Sequence, residues 1–438
     1  MRSPSSVKIF NHQRLVFLDL LLLLVCLALD VRFMTSICTA ALVLLVLVDP
    51  DRHAGIRQCL NDGYFLSLLF LFLLQLAGLL YTGDRPREWD EITKKAGMFA
   101  IPFFFCSSRG ITGRDMRRIM LAFSIALSLA CLYCLASAAI RYQQTHDASV
   151  FFYHQLVRSR PLFHHAIFFS FFLFYAIVYW LEEAGTEALK MRYRGALIGM
   201  LLFFLFMIIL LSSKLVIIVT MLYLLFFAGR TFYFRKAKRI VPIAIVFFLS
   251  AVAVLSLTDN IVIRRFNDIT TGDANLFRQE KFSTDTYFNG LQFRLLTWRF
   301  TYEILNRKKA WLLGVSPGDA QHELDTRYRE TNMYLGEASR RDTGFLGFNC
   351  HNVYLQTLLE SGIAGLLALL AAIVFFFFRV VRRKRYRVLF YFIPLLAFGL
   401  AESVLSTQYA ILLFVLFPLL LEAVVPEEEQ VRVNKALG

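Results

Sequence analysis

Residues 353–378 read VYLQTLLESGIAGLLALLAAIVFFFF, with Glu360 as the one acidic or basic side chain. A helix needs about 20 apolar residues to cross a bilayer, so this run is long enough to do so. It starts directly after Asn349-Cys350-His351-Asn352, which places two polar side chains at the mouth of a membrane helix. Similar runs recur along the chain. Spans are expected at about 15–32, 34–49, 64–82, 95–108, 119–141, 165–182, 195–211, 215–229, 240–258, 352–378, 388–406 and 409–425. The first lacks an Ala-x-Ala-type cleavage site and is read as a retained anchor.

Composition points the same way. The chain is 58% hydrophobic and 18% charged, with 45 Phe among 438 residues, whereas a soluble domain has about 45–50% apolar and about 25% charged residues. Lipid is therefore the solvent for most of it. A soluble enzyme, a secreted disulfide scaffold and a disordered protein are excluded. The net charge of +15 is read as topological and not as a nucleic-acid footprint. Basic residues crowd three short connections, at Arg109–Arg118, Arg230–Arg239 and Arg379–Arg387. Counting spans puts all three on one side, the cytoplasmic one, with both termini.

The fold expected is an all-α polytopic membrane protein of about 12 transmembrane helices. Residues 1–258 hold helices 1–9, 259–350 form one large outward loop, 351–425 hold helices 10–12, and 426–438 are a cytoplasmic tail. The loop carries thirteen Lys or Arg against twelve Asp or Glu, so it is no polycationic arm. Cys131 and Cys134 form C-x-x-C inside an apolar run without basic neighbours, and no redox or metal role is assigned to them.

Chemistry is expected on the outward side. Residues 291–309 predict an amphipathic helix with Leu291, Leu295, Trp298, Tyr302 and Leu305 on its apolar face and Arg294 at the edge. Arg294 is read as an anion-binding side chain, against the simpler reading of a snorkelling arginine. Gly314-Val315-Ser316-Pro317-Gly318-Asp319 is read as a turn, with a phosphate-cradling loop as the alternative. His351 sits where the helix dipole favours neutral imidazole, which makes it a candidate general base, and Asn352 is a candidate N-cap. Arg158, Arg160, His164 and His165 flank the sixth span, Lys214 follows Ser212-Ser213, and Glu402 lies inside the eleventh span. Ionisable groups at such depth are functional candidates. Outward D-x-D, H-E-x-x-H and Cys/His clusters are lacking, so no catalytic metal is expected.

Several of these residues together resemble the bacterial O-antigen ligase and O-antigen polymerase superfamily. They are Arg294-Leu295-Leu296-Thr297-Trp298, Leu313-Gly314-Val315-Ser316-Pro317-Gly318-Asp319, His351-Asn352-Val353-Tyr354-Leu355-Gln356 and Glu360-Ser361-Gly362, with His164, Glu402 and Gln408 in keeping. The resemblance spans roughly residues 150–425. It implies a GT-C-like helical bundle at the bacterial inner membrane with its active site facing the periplasm. It also implies an inverting, metal-independent glycosyltransferase without cofactor. The donor would be a glycan on undecaprenyl pyrophosphate, and the acceptor a sugar hydroxyl of lipid A-core for a ligase or a second lipid-linked repeat for a polymerase. Arg294, Arg265 and Lys214 suit leaving-group charge, and His351 suits proton abstraction. His164, Arg158, Arg160, Asn352 and Glu402 are the further substrate-binding candidates. Lys214 stands where the superfamily often has Arg, Ser316 where Gly is common, and His165 where Pro is common. A lipid-glycan flippase is the reading from a different class. It is disfavoured because the polar residues gather at one face while most spans are uncharged. The expected partners are the lipid-linked donor, the glycan acceptor and membrane lipids, and no nucleic acid.

Overall fold

The computed structural model describes residues 4–108, 110–159, 162–163, 165–184, 194–234, 245–246, 276–337 and 342–425. In chain order the helices are α1 (Pro4–Ala28), α2 (Arg32–Val48), α3 (Arg52–Cys59), α4 (Gly63–Ala77), α5 (Arg85–Lys95) and α6 (Gly97–Ser107). After these come α7 (Gly113–Thr145), α8 (Tyr153–Val157), α9 (Ala166–Ala184), α10 (Arg194–Leu210) and α11 (Lys214–Phe234). The last five are α12 (Gly290–Lys308), α13 (Pro317–Glu330), α14 (Val353–Arg382), α15 (Leu389–Gly399) and α16 (Gln408–Glu422). Two ladders of two-residue strands are the sheet among the described residues.

The helices match the apolar runs, but not every run is a full crossing. Among the described residues, four helices are long and apolar enough to cross a membrane: Gly63–Leu80, Gly113–Thr145, Ala166–Glu183 and Val353–Arg382. Taken as one broken span bent by 115°, α2 and α3 add a fifth. The expected spans at 95–108 and 388–406 are 11-residue helices with Pro102 and Pro394 inside them. Eleven residues rise only about 16 Å, roughly half of a hydrocarbon core. The expected span at 240–258 lies outside the described residues except for 245–246.

The chain divides into two compact units, one drawn from residues 1–41, 110–267 and 424–438, the other from 42–109 and 268–423. This spatial grouping is a different partition from the linear division at 258, 350 and 425. In the first unit α1 packs on α7, and α9 packs on α7, α10 and α11. Helix α9 is apolar all round, as a helix buried on every side must be, and Phe169, Phe172, Tyr175 and Ile177 are fully buried. Its polar tips are paired. Trp180 Nε1 donates to Ser124 Oγ at 2.8 Å, and Glu182 takes Arg230 at 2.7 Å.

In the second unit α14 lies along α4. At one end of this pair Arg379 donates to Asp62 at 2.8 Å and to Glu422 at 3.0 Å. Asp62 also caps α4 by accepting from Phe65 N. The segment that carries α12 and α13 is not a separate body. Helices α12 and α13 share one core with Cys350, Leu358 and Leu359 at the start of α14. These helices are therefore anchored on the helix that their own segment leads into.

Candidate active site

The site is assembled at the start of α14. Asn352 caps it, its Oδ1 accepting from Tyr354 N and Leu355 N at 3.0 Å each. Its Nδ2 donates to Leu400 O at 3.3 Å, and its backbone N–H donates to Ser403 Oγ at 3.2 Å. The amide is thus spent on holding this corner against the turn that follows α15. His351, one residue earlier, takes the left-handed conformation at φ 47°. That turn points its ring at Glu402, with Nδ1 3.1 Å from Oε2.

Arg294 reaches the same carboxylate from α12. A capping box fixes this helix, Asn289 accepting from Gln292 N while the Gln292 side chain accepts from Asn289 N. Arg294 Nη2 lies 3.1 Å from Glu402 Oε1, Nε donates to Ala401 O at 2.9 Å, and Nη1 donates to Gly290 O at 2.9 Å. Glu402 therefore bridges guanidinium and imidazole, one oxygen to each. With Nδ1–H donated to the carboxylate, Nε2 carries the lone pair and has no partner among the described residues. Three of the five N–H groups of Arg294 are committed, leaving one on each terminal nitrogen.

Arg294 lies beside the buried face of its helix, and the stripe expected from the sequence is only partly that face. Phe293, Leu296, Thr297, Phe300 and Ile304 are buried together with Leu305 of the expected stripe, while Leu295 and Trp298 are half-buried and Leu291 and Tyr302 are 45% and 58% exposed. Both stripes repeat at helical spacing. The buried one wins because Phe293 meets Tyr328, Phe345 and His351, and Phe300 meets Tyr328.

Helix α14 is broken at Gly362, where φ is 64° and ψ −165°. Residues 311–316 fill the break as a strap. Ile363 N donates to Trp311 O at 2.8 Å and Ala364 N to Leu312 O at 3.2 Å. In return Val315 N donates to Leu359 O at 2.8 Å and Ser316 N to Glu360 O at 3.2 Å. This decides the reading of the glycine-rich segment. Gly314 N is bonded to Ala310 O, Gly318 N to Glu88 and Asp319 N to Ser316 Oγ. Every amide from 314 to 319 is committed and Pro317 has none, so the segment is a turn that locks a helix break and no phosphate cradle. Burial pushes the Glu88 carboxyl above its usual range, against the Gly318 amide, the Ser316 hydroxyl and Lys95, which pull it down.

Ser316, at the position where Gly is common in the superfamily, has φ 85° and ψ 152°, a region that costs a side chain about 1–3 kcal/mol. Its hydroxyl caps α13, and replacing such a cap by Gly costs only a few tenths of a kcal/mol, against roughly 1 for Ala. Ser316→Gly is expected to stabilise the protein and Ser316→Ala to destabilise it, each by about 1 kcal/mol. Thermal unfolding in detergent checks both signs.

Of the other predicted residues, Arg158 and Lys214 belong to the first unit. Arg158 is exposed, with its carbonyl accepting from Arg141, and Lys214 opens α11. Arg160, His164 and Arg265 lie outside the described residues. Sequence reasoning gave no role to Glu360 and missed Lys95, Glu88, Gln75 and Ser403. Lys95 stands where an apolar run begins and reads as a snorkelling end, yet it is 0% exposed. An ionisable residue inside a run, as Glu360 is, was the available signal.

No curated protein matches the chain. The family model described as O-antigen ligase matches residues 199–370, which include α12, α13, the strap and the first part of α14. Over residues 199–370 the chain is thus similar to the O-antigen ligase family, which bears out the resemblance to the ligase and polymerase superfamily.

Proposed function

We propose that the chain is an O-antigen ligase-like glycosyltransferase. It moves a glycan from undecaprenyl pyrophosphate to a sugar hydroxyl of lipid A-core. It is a multi-pass protein of the bacterial inner membrane, a GT-C-like helical bundle, and it works at the periplasmic face. The observation that carries this is Glu402 bridging Arg294 and His351 at the mouth of α14.

The chemistry follows from that bridge. His351 Nε2 takes the proton of the acceptor hydroxyl, and Glu402 holds the imidazole in the tautomer that leaves Nε2 unprotonated and steadies the imidazolium that forms. The acceptor oxygen forms its bond to the anomeric carbon from the side opposite the pyrophosphate. The carbon–oxygen bond to the pyrophosphate breaks with its electron pair on the leaving oxygen, so the configuration inverts in one displacement. The two uncommitted N–H groups of Arg294 meet the charge that builds there. Arg265, Lys214, Arg158, Arg160 and His164 are proposed to bind the polyanionic carrier or its glycan, and Asn352 keeps the His351 corner in place. Because cationic side chains supply the charge, the reaction is metal-independent.

The test is transfer by purified full-length protein in proteoliposomes, given a defined lipid-linked glycan with lipid A-core or a second lipid-linked repeat as acceptor. Glycan on the core, unaffected by EDTA, is the expected product. Elongation on the carrier alone would make the protein a polymerase. Carrier movement between leaflets without a new glycosidic bond would overturn the enzyme reading.

A further inference from the structure

Two buried charges of the second unit take no part in the transfer chemistry above. Lys95, at the end of α5, is 0% exposed and its Nζ lies 2.5 Å from Glu360 Oε2. Gln75 Nε2 donates to the same oxygen at 3.3 Å. The other oxygen, Oε1, accepts from Gln356 Nε2 at 2.8 Å. The remaining end of that amide, Gln356 Oε1, accepts from Cys350 N at 3.1 Å, one residue before His351.

A buried ion pair is seldom more stable than an apolar pair of the same size, so its contribution is sought in geometry. A side-chain amide has a donating end and an accepting end, and the two are nearly the same shape. Glu360, as the carboxylate partner of the Lys95 ammonium, only accepts. The donating end of Gln356 must then face Glu360, and its accepting end must face Cys350 N–H. With a neutral group at 360 the amide could turn over, setting NH2 against N–H at the corner that carries the imidazole. The rest of this corner is pinned locally. Cys350 O accepts from Thr297 Oγ1 at 3.2 Å, its Sγ lies 3.1 Å from Thr301 Oγ1, and His351 N donates to Asn349 Oδ1 at 3.0 Å.

We propose that Lys95 and Glu360 are positioning residues: by fixing the polarity of Gln356 they hold the Cys350–His351 corner in the left-handed turn that aims the imidazole at Glu402. The proposal rests on the transfer reading above and adds to it a buried charge pair acting through one amide.

The experiment measures steady-state transfer by the full-length protein in proteoliposomes, varying the donor. Four variants are compared with the native protein: Lys95→Met with Glu360→Gln, which is neutral and close in volume; Gln356→Met; His351→Ala; and the charge-pair variant combined with His351→Ala. The charge-pair variant is expected to lose roughly tenfold to 100-fold in kcat, the scale of a small misplacement of a catalytic group, with donor KM within about twofold. Gln356→Met is expected to lose the same, and on the His351→Ala background the charge-pair change should cost nothing further. Unchanged kcat, or an equal loss on the His351→Ala background, overturns the positioning role. Because Gln356→Met leaves the ion pair intact, it decides the matter if the charge-pair variant does not accumulate. Full transfer by His351→Ala itself would instead overturn the transfer reading.

Discussion

His351→Ala should reduce glycan transfer by about 10²–10⁴-fold, the usual worth of a positioned general base, while leaving the protein inserted and able to bind donor. The imidazole is 22% exposed and makes one side-chain hydrogen bond, so its loss opens no large cavity. Glu402→Gln should cost less, roughly 10–100-fold by analogy with other carboxylates that orient a working histidine. The amide can still accept from Nδ1–H, but only by turning its NH2 toward Arg294, which also donates. Arg294→Lys should not restore what Arg294→Ala loses. One ammonium cannot reach Ala401 O, Gly290 O and Glu402 together, as the guanidinium does. Single-turnover rates with prebound lipid-linked donor separate chemistry from binding. A His351→Ala protein that turns over at the native rate would remove the imidazole from the mechanism.

How much of this was legible in the sequence differs from element to element. The identity of α14 as a membrane helix was, because so long an apolar run finds its natural solvent in lipid. Its break at Gly362 was not, because glycine is common in membrane helices and the strap that fills the gap lies some fifty residues upstream. The stripe on α12 was legible only in part, Leu305 being buried and Leu291 and Tyr302 exposed, because two faces repeat with the same period and only the partner surfaces decide which is buried. His351 and Arg294 stood out by residue type and place. Glu402 stood out as well, as an ionisable group inside a span, but its meeting with the other two did not: it follows Arg294 by 108 residues, and the turn after α15 is what carries it to both. Lys95 was invisible for a related reason. A lysine at the end of an apolar run normally reaches for water, and its burial depends on a carboxylate 265 residues away.

The helix break itself should be the least tolerant feature of the fold. Gly362 lies in a region of φ and ψ that only glycine enters freely, and a Cβ there would fall on the Leu312 carbonyl. Gly314, at φ 73°, is its counterpart across the interlock, where a Cβ would fall on the carbonyl of Glu360. Alanine at either position meets two costs at once. The backbone strain is about 1–3 kcal/mol, and moving the strap away strands buried amides and carbonyls at about 1–3 kcal/mol each. Gly362→Ala and Gly314→Ala are therefore expected to destabilise by more than about 4 kcal/mol, the range reached only by severe lesions, and to lower membrane-inserted protein sharply. Gly347 is the control. It also has positive φ, at 84°, but nothing lies within 4 Å of a Cβ built there. Gly347→Ala should cost only the strain, about 1–2 kcal/mol, and leave insertion normal. Thermal unfolding and protease protection of the three variants compare strain alone with strain plus collision. Equal losses in all three would mean that the strap does not interlock with the broken helix.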